Sequence, residues 1–451
     1  MRLIYDRGTI VIEGDTSALD LGQVAGMTWD PRVAKYRLPG ARYQELLTAF
    51  SKKAIPVADE VCRDRLIVGK WQPPALRPYQ DAALSAWQHA GQRGIVVLPT
   101  GSGKTRVAIA AMALTGLSTL CIVPTRVLLE QWHKQISEYY GSQVGIYGDG
   151  DRTLAPITVA TFESAYRNAA QLGNRFGLIV ADEVHHFANG ARSEIFELST
   201  ASSRLGLSAT IGPETGDFSP LTKLIGSIVY ELNISDLAGT FLANFDAYSM
   251  HVDLNSEERA AYDTHIALYR KHLTIFKRVC PEASWADFAR HAARTTEGRA
   301  ALVALRLARK LIAFPSAKQR TFSSLIDRHR QNRVLIFTSD TGTAYQIAKT
   351  HLVMPLTAEI KRKERDEMLA KFREGRINAL VSCRVLNEGL DVPDADVAII
   401  LGGALGLREH IQRIGRLLRP SPGKRALVYE LVCRRTLEVR QWQRRNASDD
   451  S

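Results

Sequence analysis

Paired cysteines are missing from this chain. Cys62, Cys121, Cys280, Cys383 and Cys433 stand far apart and form no CxxC. Zinc ribbons and iron–sulfur clusters need thiolates at short spacing, and disulfide scaffolds belong to much smaller secreted chains, so these classes are excluded and five buried thiols are expected. No apolar run approaches the ~18 residues that a membrane-spanning helix needs, so no membrane association is expected. The opening, MRLIYDRGTIVIEG, alternates apolar and polar residues where a signal peptide would have an apolar core, which predicts a cytoplasmic protein. Internal repeats, low-complexity tracts and a nuclease constellation are all lacking.

What is present is a chain of 451 residues, 45% hydrophobic and 24% charged, too long for one core and ordinary for a globular protein. Residues 1–70 read as a small α+β unit. LIY and TIVIEG flank Asp6-Arg7-Gly8 as a hairpin, MTWD and AKYRL flank Pro31 as a second, and ARYQELLTAFSKKA has helical spacing. After Trp71–Pro74, short apolar strands alternate with helices: GIVVLP, TLCIVP, ITVAT, LIVAD and LGLSAT, then VLIFTS, ALVSC, DVAIIL and ALVYEL. That alternation predicts an α/β protein with two doubly wound parallel-sheet lobes, at 71–238 and 239–451.

Charge is uneven. The net charge is +12, and Arg259–Arg320 holds thirteen Lys or Arg against four Asp or Glu, an excess of nine. This stretch is helical in pattern, has few aromatic residues and no strand signals, and predicts a basic helical insertion at about 256–309 that suits a polyanion.

Three motifs carry chemistry. In PTGSGKT, Gly101, Ser102 and Gly103 form a loop whose N–H groups can face phosphate oxygens, with Lys104 reaching the β- and γ-phosphates and Thr105 offering a hydroxyl to Mg²⁺. The strict pattern has glycine where this chain has Leu98. In ADEVHH, Asp182 is the candidate Mg²⁺ partner and Glu183 the base that polarises water, with His185 as a link between the nucleotide and Ser208-Ala209-Thr210. His185 and His186 lack a third ligand at zinc spacing. In QRIGRLLR, Arg416 and Arg419 lie one helical turn apart, with Gln412 and Arg413 before them. Arginines from a second lobe can neutralise a transferring phosphoryl group, which is worth about 10³–10⁵ in rate. Gln80, in Arg77-Pro78-Tyr79-Gln80, can pair bidentately with adenine, and Asp391 of Asn387-Glu388-Gly389-Leu390-Asp391 can meet ribose. Together they describe hydrolysis of a nucleoside triphosphate between two lobes.

LPTGSGKT, VPTRVLLEQW, ADEVHH, LSAT, NEGLDVP and QRIGRLLRP resemble motifs I, Ia, II, III, V and VI of superfamily 2 helicases. LGNRF, SDLAG and SPGKRALVYEL extend the likeness, from Arg7 almost to the last residue, to the XPB family and its short archaeal-type members. The resemblance implies two RecA-like lobes, an N-terminal damage-recognition-like domain at 1–70 and a thumb at about 256–309. It further implies an ATP- and Mg²⁺-dependent DNA translocase or helicase of 3′→5′ polarity in nucleotide excision repair and transcription, with a nuclease partner. A restriction-type motor or an RNA helicase is the alternative. One departure stands out: where the family has an Arg-Glu-Asp triplet tied to duplex opening, this chain has Pro213-Glu214-Thr215.

Overall fold

The structure is a computed structural model that describes residues 1–14, 26–62, 69–99, 101–187, 190, 192–209, 219–232, 244–357, 359–383, 395–402 and 425–446. The chain forms two compact units, Met1–Leu237 and Ala238–Ser451.

The first unit opens with a five-stranded sheet ordered Thr28–Asp30, Lys35–Pro39, Thr9–Glu13, Arg2–Asp6, Ala58–Glu60. Both predicted hairpins form. In the first, Arg7 and Gly8 have φ of 46° and 97°, the left-handed pair that a two-residue turn needs to match strand twist. The helix Tyr43–Lys52 lays Tyr43, Leu46 and Phe50 on this sheet. LGNRF has a structural use here. The Tyr5 hydroxyl donates to the Ala170 and Leu198 carbonyls at 3.2 and 3.0 Å, and Asn174 Nδ2 donates to the Val61 carbonyl at 3.0 Å. A Cβ on Gly173 would collide with the Tyr5 hydroxyl. The segment is the seat of the N-terminal sheet.

The larger sheet of the first unit runs Ile228–Glu231, Arg93–Val97, Ser203–Ser208, Leu178–Ala181, Thr119–Val123, Ile157–Thr161, Val144–Gly148, Asp151–Thr153. All pairings are parallel except the last. Its central strands are buried along their whole length, which requires cover on both faces. The second unit has a six-stranded parallel sheet among the described residues, ordered Asn244–Val252, Arg425–Cys433, Val397–Ile400, Val334–Thr338, Ala379–Cys383, Met354–Leu356.

The basic segment is three helices, Ser256–Val279, Trp285–Ala292 and Thr296–Ala313, four residues longer than predicted at its end. Each starts on a side-chain cap, from Asn255, Ser284 and Thr295. Tyr262, Ile266, Phe276, Phe288, Leu305 and Ile312 share their core.

Two expectations are corrected. Cys280 is exposed at the end of the helix Ser256–Val279 and Cys62 is half-buried, so only Cys121, Cys383 and Cys433 are buried thiols. Lys318, counted in the basic patch, is 0% exposed. Its Nζ donates to the Ile312 and Leu401 carbonyls at 2.9 and 3.0 Å and pairs with Glu438 at 2.8 Å. A buried ammonium is tolerable only when paired and fully hydrogen-bonded, and this one is.

Candidate ATP-hydrolysis site

The strand Arg93–Val97 delivers the chain to a loop at the carboxyl end of the sheet, and the helix Lys104–Thr115 leaves it. Gly101 and Gly103 both have φ of 84°, a conformation costly for residues with a Cβ. The helix N-terminus has no side-chain cap, and while the Arg106 N–H donates to the Gly103 carbonyl at 2.9 Å, the Lys104 and Thr105 N–H groups can face an anion. Lys104 Nζ donates to the Leu98 carbonyl at 3.0 Å and sits 3.5 Å from that of Pro99. The Leu98 side chain is fully buried in the sheet core. What the lysine meets at the departing position is therefore a backbone carbonyl, which leucine supplies as well as glycine. Thr105 lies half-buried in the first turn.

Gln80 is 1% exposed, and its amide is engaged inside the protein. Its Oε1 accepts from the Arg77 N–H at 2.9 Å, and its Nε2 donates to the Ser102 carbonyl at 2.6 Å. The Tyr79 hydroxyl donates to the same carbonyl at 2.6 Å. Gln80 thus props the phosphate loop in this structure, and its expected adenine contact is left one N–H and one lone pair. Arg77 holds the N-cap of the helix Pro78–His89.

Asp182 and Glu183 follow the buried strand Leu178–Ala181. Asp182 Oδ2 accepts from Trp132 Nε1 at 2.9 Å, and Oδ1 from the Glu183 N–H at 3.0 Å. Burial first, then the neighbouring Glu183 charge, pushes the Asp182 carboxyl up to about 6, while Lys104 pulls it down. Glu183 has φ of 50°, a left-handed strain of the sort found at functional sites. Its buried Oε2 accepts no hydrogen bond, and His185 Nδ1 stands 3.4 Å away. His185 Nδ1 also lies 3.2 Å from Ser208 Oγ, at the end of the neighbouring strand.

The residues present fit the expected groups. An uncapped helix N-terminus, two left-handed glycines and a lysine suit a triphosphate. Two adjacent carboxylates, a half-buried one short of hydrogen bonds and a buried one with a raised proton affinity, suit a divalent cation. Gly101–Thr105, Gln80 and Asp182 are brought together at one end of one sheet. Asp391, Gln412, Arg413, Arg416, Arg419, Thr210 and Pro213-Glu214-Thr215 lie outside the described residues. Two side chains escaped the sequence reading. Trp132 closes VPTRVLLEQW and orients Asp182; a buried tryptophan must place its N–H, and a nearby strand-end acid is a natural acceptor. Tyr79 stands beside Gln80 in the segment already singled out.

Residues 3–61 match the xeroderma pigmentosum group B helicase damage recognition domain, 74–212 the res subunit of type III restriction enzymes, and 317–421 the helicase conserved C-terminal domain. The DNA 3′-5′ translocase XPB2 of Sulfurisphaera tokodaii is 36% identical over 428 residues, covering 93% of this chain and 95% of that protein. The chain belongs to the XPB helicase family. A further XPB relative, the general transcription and DNA repair factor IIH helicase/translocase subunit of Dictyostelium discoideum, is 26% identical over 81% of this chain and 44% of its own. The helicase domain of Hef from Pyrococcus furiosus has a similar fold, with a TM-score of 0.54 at 18% identity over 82% of this chain and 98% of that one. The two sheets are the RecA-like lobes of an XPB-family, superfamily 2 enzyme, and family membership implies ATP-dependent activity.

Proposed function

We propose that this chain is an ATP-driven DNA translocase and helicase of 3′→5′ polarity that acts in DNA repair, nucleotide excision repair above all, and in transcription. The observation that carries the reading is the assembled lobe-one site, with Lys104, Asp182 and Glu183 at the end of one sheet, in a chain colinear with a named DNA translocase. Lys104 and the first-turn N–H groups would bind the β- and γ-phosphates, and Thr105 and Asp182 would hold Mg²⁺, which supplies positive charge at the transferring phosphoryl group. Glu183, whose backbone has a left-handed φ and whose Oε2 lacks a hydrogen bond, would orient the attacking water and take its proton. Arg416 and Arg419, with Gln412, neutralise the developing charge, and Asp391 meets the ribose. DNA is gripped through the basic thumb and lobe surfaces, and a nuclease of excision repair is the expected partner.

The test is phosphate release from ATP with duplex DNA, single-stranded DNA or RNA. Stimulation by DNA and not by RNA is expected; stimulation by RNA alone would replace this reading with an RNA motor. Strand separation should be weaker than translocation, because Pro213 and Thr215 offer neither charge that the family triplet carries, while opening a duplex costs about 1.4 kcal/mol per base-pair step. Pro213→Arg with Thr215→Asp should raise fork unwinding without raising ATPase rate.

A further inference from the structure

A cavity of about 520 Å³ opens between the thumb and the sheet of the second unit, within the ~300–1,000 Å³ range of ligand pockets. Trp285 of the second thumb helix, Leu302 and Leu305 of the third, and Ala313 give it apolar walls. Ser339 and Asp340, just past the strand Val334–Thr338, place it at the carboxyl end of a parallel strand, where open α/β sheets take ligands.

Its charges are divided unequally. Both acidic side chains in the lining are engaged. Asp340 caps the helix Thr341–His351 through the Thr343 N–H at 2.8 Å and accepts from the Thr343 hydroxyl at 2.7 Å. Glu438 pairs with Lys318 and accepts the Cys433 N–H. The cations Arg306, Arg309 and Lys310 are exposed, and none has an ion pair or hydrogen bond among the described residues. They lie within two turns of one helix, with Arg306 and Lys310 as neighbours four apart. Trp285 is 53% exposed, and its ring meets no other aromatic ring among the described residues. An indole face beside cations without acidic partners complements one chemistry, a flat base attached to phosphates, as in single-strand grooves. A protein segment would need acidic residues around an apolar anchor to match the same cations.

We propose that this pocket takes an unpaired nucleotide of a DNA single strand, its base stacked on Trp285 and its flanking phosphates on Arg306, Arg309 and Lys310. The proposal rests on the DNA-motor reading and adds a contact with bases to a thumb otherwise suited to phosphates. It gives the motor a means of telling an opened strand from a closed duplex.

The experiment compares binding of oligothymidylate with an abasic oligomer of equal length and charge, for the full chain without ATP. The wild type should prefer oligothymidylate by about tenfold, with quenching of tryptophan fluorescence. Trp285→Leu keeps the apolar wall and should lose both preference and quench. Trp285→Phe keeps an aromatic face and should retain part of the preference. Duplex-stimulated ATPase of Trp285→Leu should match wild type, and Arg306→Gln with Arg309→Gln should weaken both oligomers alike. No base preference in the wild type, an unchanged preference in Trp285→Leu, or equal loss on duplex and single strand would each overturn the proposal. So would competition by free thymidine monophosphate as strong as by the strand, which would mark a mononucleotide site. Failure of the motor reading would show separately, as absent DNA stimulation of wild-type ATPase.

Discussion

At Asp182 a carboxylate has an indole N–H and a backbone N–H pointing at it, and burial first, then its neighbour's charge, raises its proton affinity. At Arg306, Arg309 and Lys310 three cations stand in water with no partner among the described residues. The two regions hold charge in opposite ways, and the difference sets what each can do. The candidate site centres on the buried Asp182 and Gln80, whose positions are fixed by hydrogen bonds, so a charge there acts at close to full strength on a small target and tolerates little change. The helices from Ser256 to Ala313 carry solvated charges on their faces, each weak and screened by salt, so any grip on a polyanion would come through their number.

The sharpest way to break that comparison is to strip single groups from the buried site. Lys104→Ala should abolish turnover by removing the phosphate contact. Glu183→Gln should retain ATP binding, measured with radiolabelled ATP, while phosphate release falls by about 10³ or more, because Asp182 and the phosphate loop stay intact. Turnover by Glu183→Gln near the wild-type rate would mean the water is oriented elsewhere. Arg416→Ala, in the arginine row, should lower kcat by about 10³ with ATP affinity little changed. A wild-type rate with DNA bound would end the finger assignment.

Next in size is a charge on the wrong side of the division. Lys318 and Arg320 are two residues apart, both basic and both within the run that reads as a patch. Lys318 is buried against Glu438, whereas Arg320 is exposed with no ion pair among the described residues. Lys318→Met leaves the Glu438 carboxylate buried and should cost about 3–5 kcal/mol in denaturant unfolding of the second unit. Lys318→Met with Glu438→Gln keeps an acceptor for the Cys433 N–H and removes the stranded charge, so it should recover part of the loss. Arg320→Ala should stay within about 0.5 kcal/mol of wild type. Equal effects from Lys318 and Arg320 would erase the distinction.

Lys318 also shows what a sequence can and cannot carry. The buried strands were legible because LIVA has no polar residue to place and TLCIV has only Thr119, whose hydroxyl donates to the Leu117 carbonyl, and fully covered parallel strands are the fold that accepts such runs. The phosphate loop was legible because its glycines and lysine are needed at fixed offsets. Six described strands were missed, among them Val144–Gly148, Asn244–Val252 and Met354–Leu356. The second exposes Tyr248 and mixes in Asn244, Asp246 and His251, and the third is only three residues long. Trp132 and Gln80 could be quoted in motifs, but not their partners, since a hydrogen bond across fifty residues is set by how the helix lies on the sheet. Counting charges failed for a related reason. Periodicity tells which face of a helix is apolar, yet Lys318 lies on such a face and is retained by an acid 120 residues away.

The smallest expected effect tests the thumb at single-charge resolution. Lys277 and Arg278 are adjacent, exposed and identical in a charge count. Lys277 Nζ, however, donates to the Pro281 and Ala283 carbonyls at 2.9 and 2.7 Å, closing the turn after the first thumb helix. Arg278 makes no ion pair or hydrogen bond among the described residues. A cation that two carbonyls already hold has one N–H left for a phosphate and must give up geometry to use it. Each phosphate neutralised on duplex DNA contributes about 0.9 to the slope of log affinity against log salt. Replacing Arg270, Lys271, Lys277 and Arg278 together by alanine should therefore flatten the slope by about 3 units, for three contacts and not four. Arg278→Ala alone should remove about 0.9, and Lys277→Ala should leave the slope nearly unchanged while lowering the stability of the turn. Fluorescence anisotropy of a labelled duplex titrated between about 50 and 200 mM salt reads these differences. Equal slopes for the two single variants would mean that the loop carbonyls release Lys277 to the DNA. A slope that no variant moves would put the DNA track on another surface.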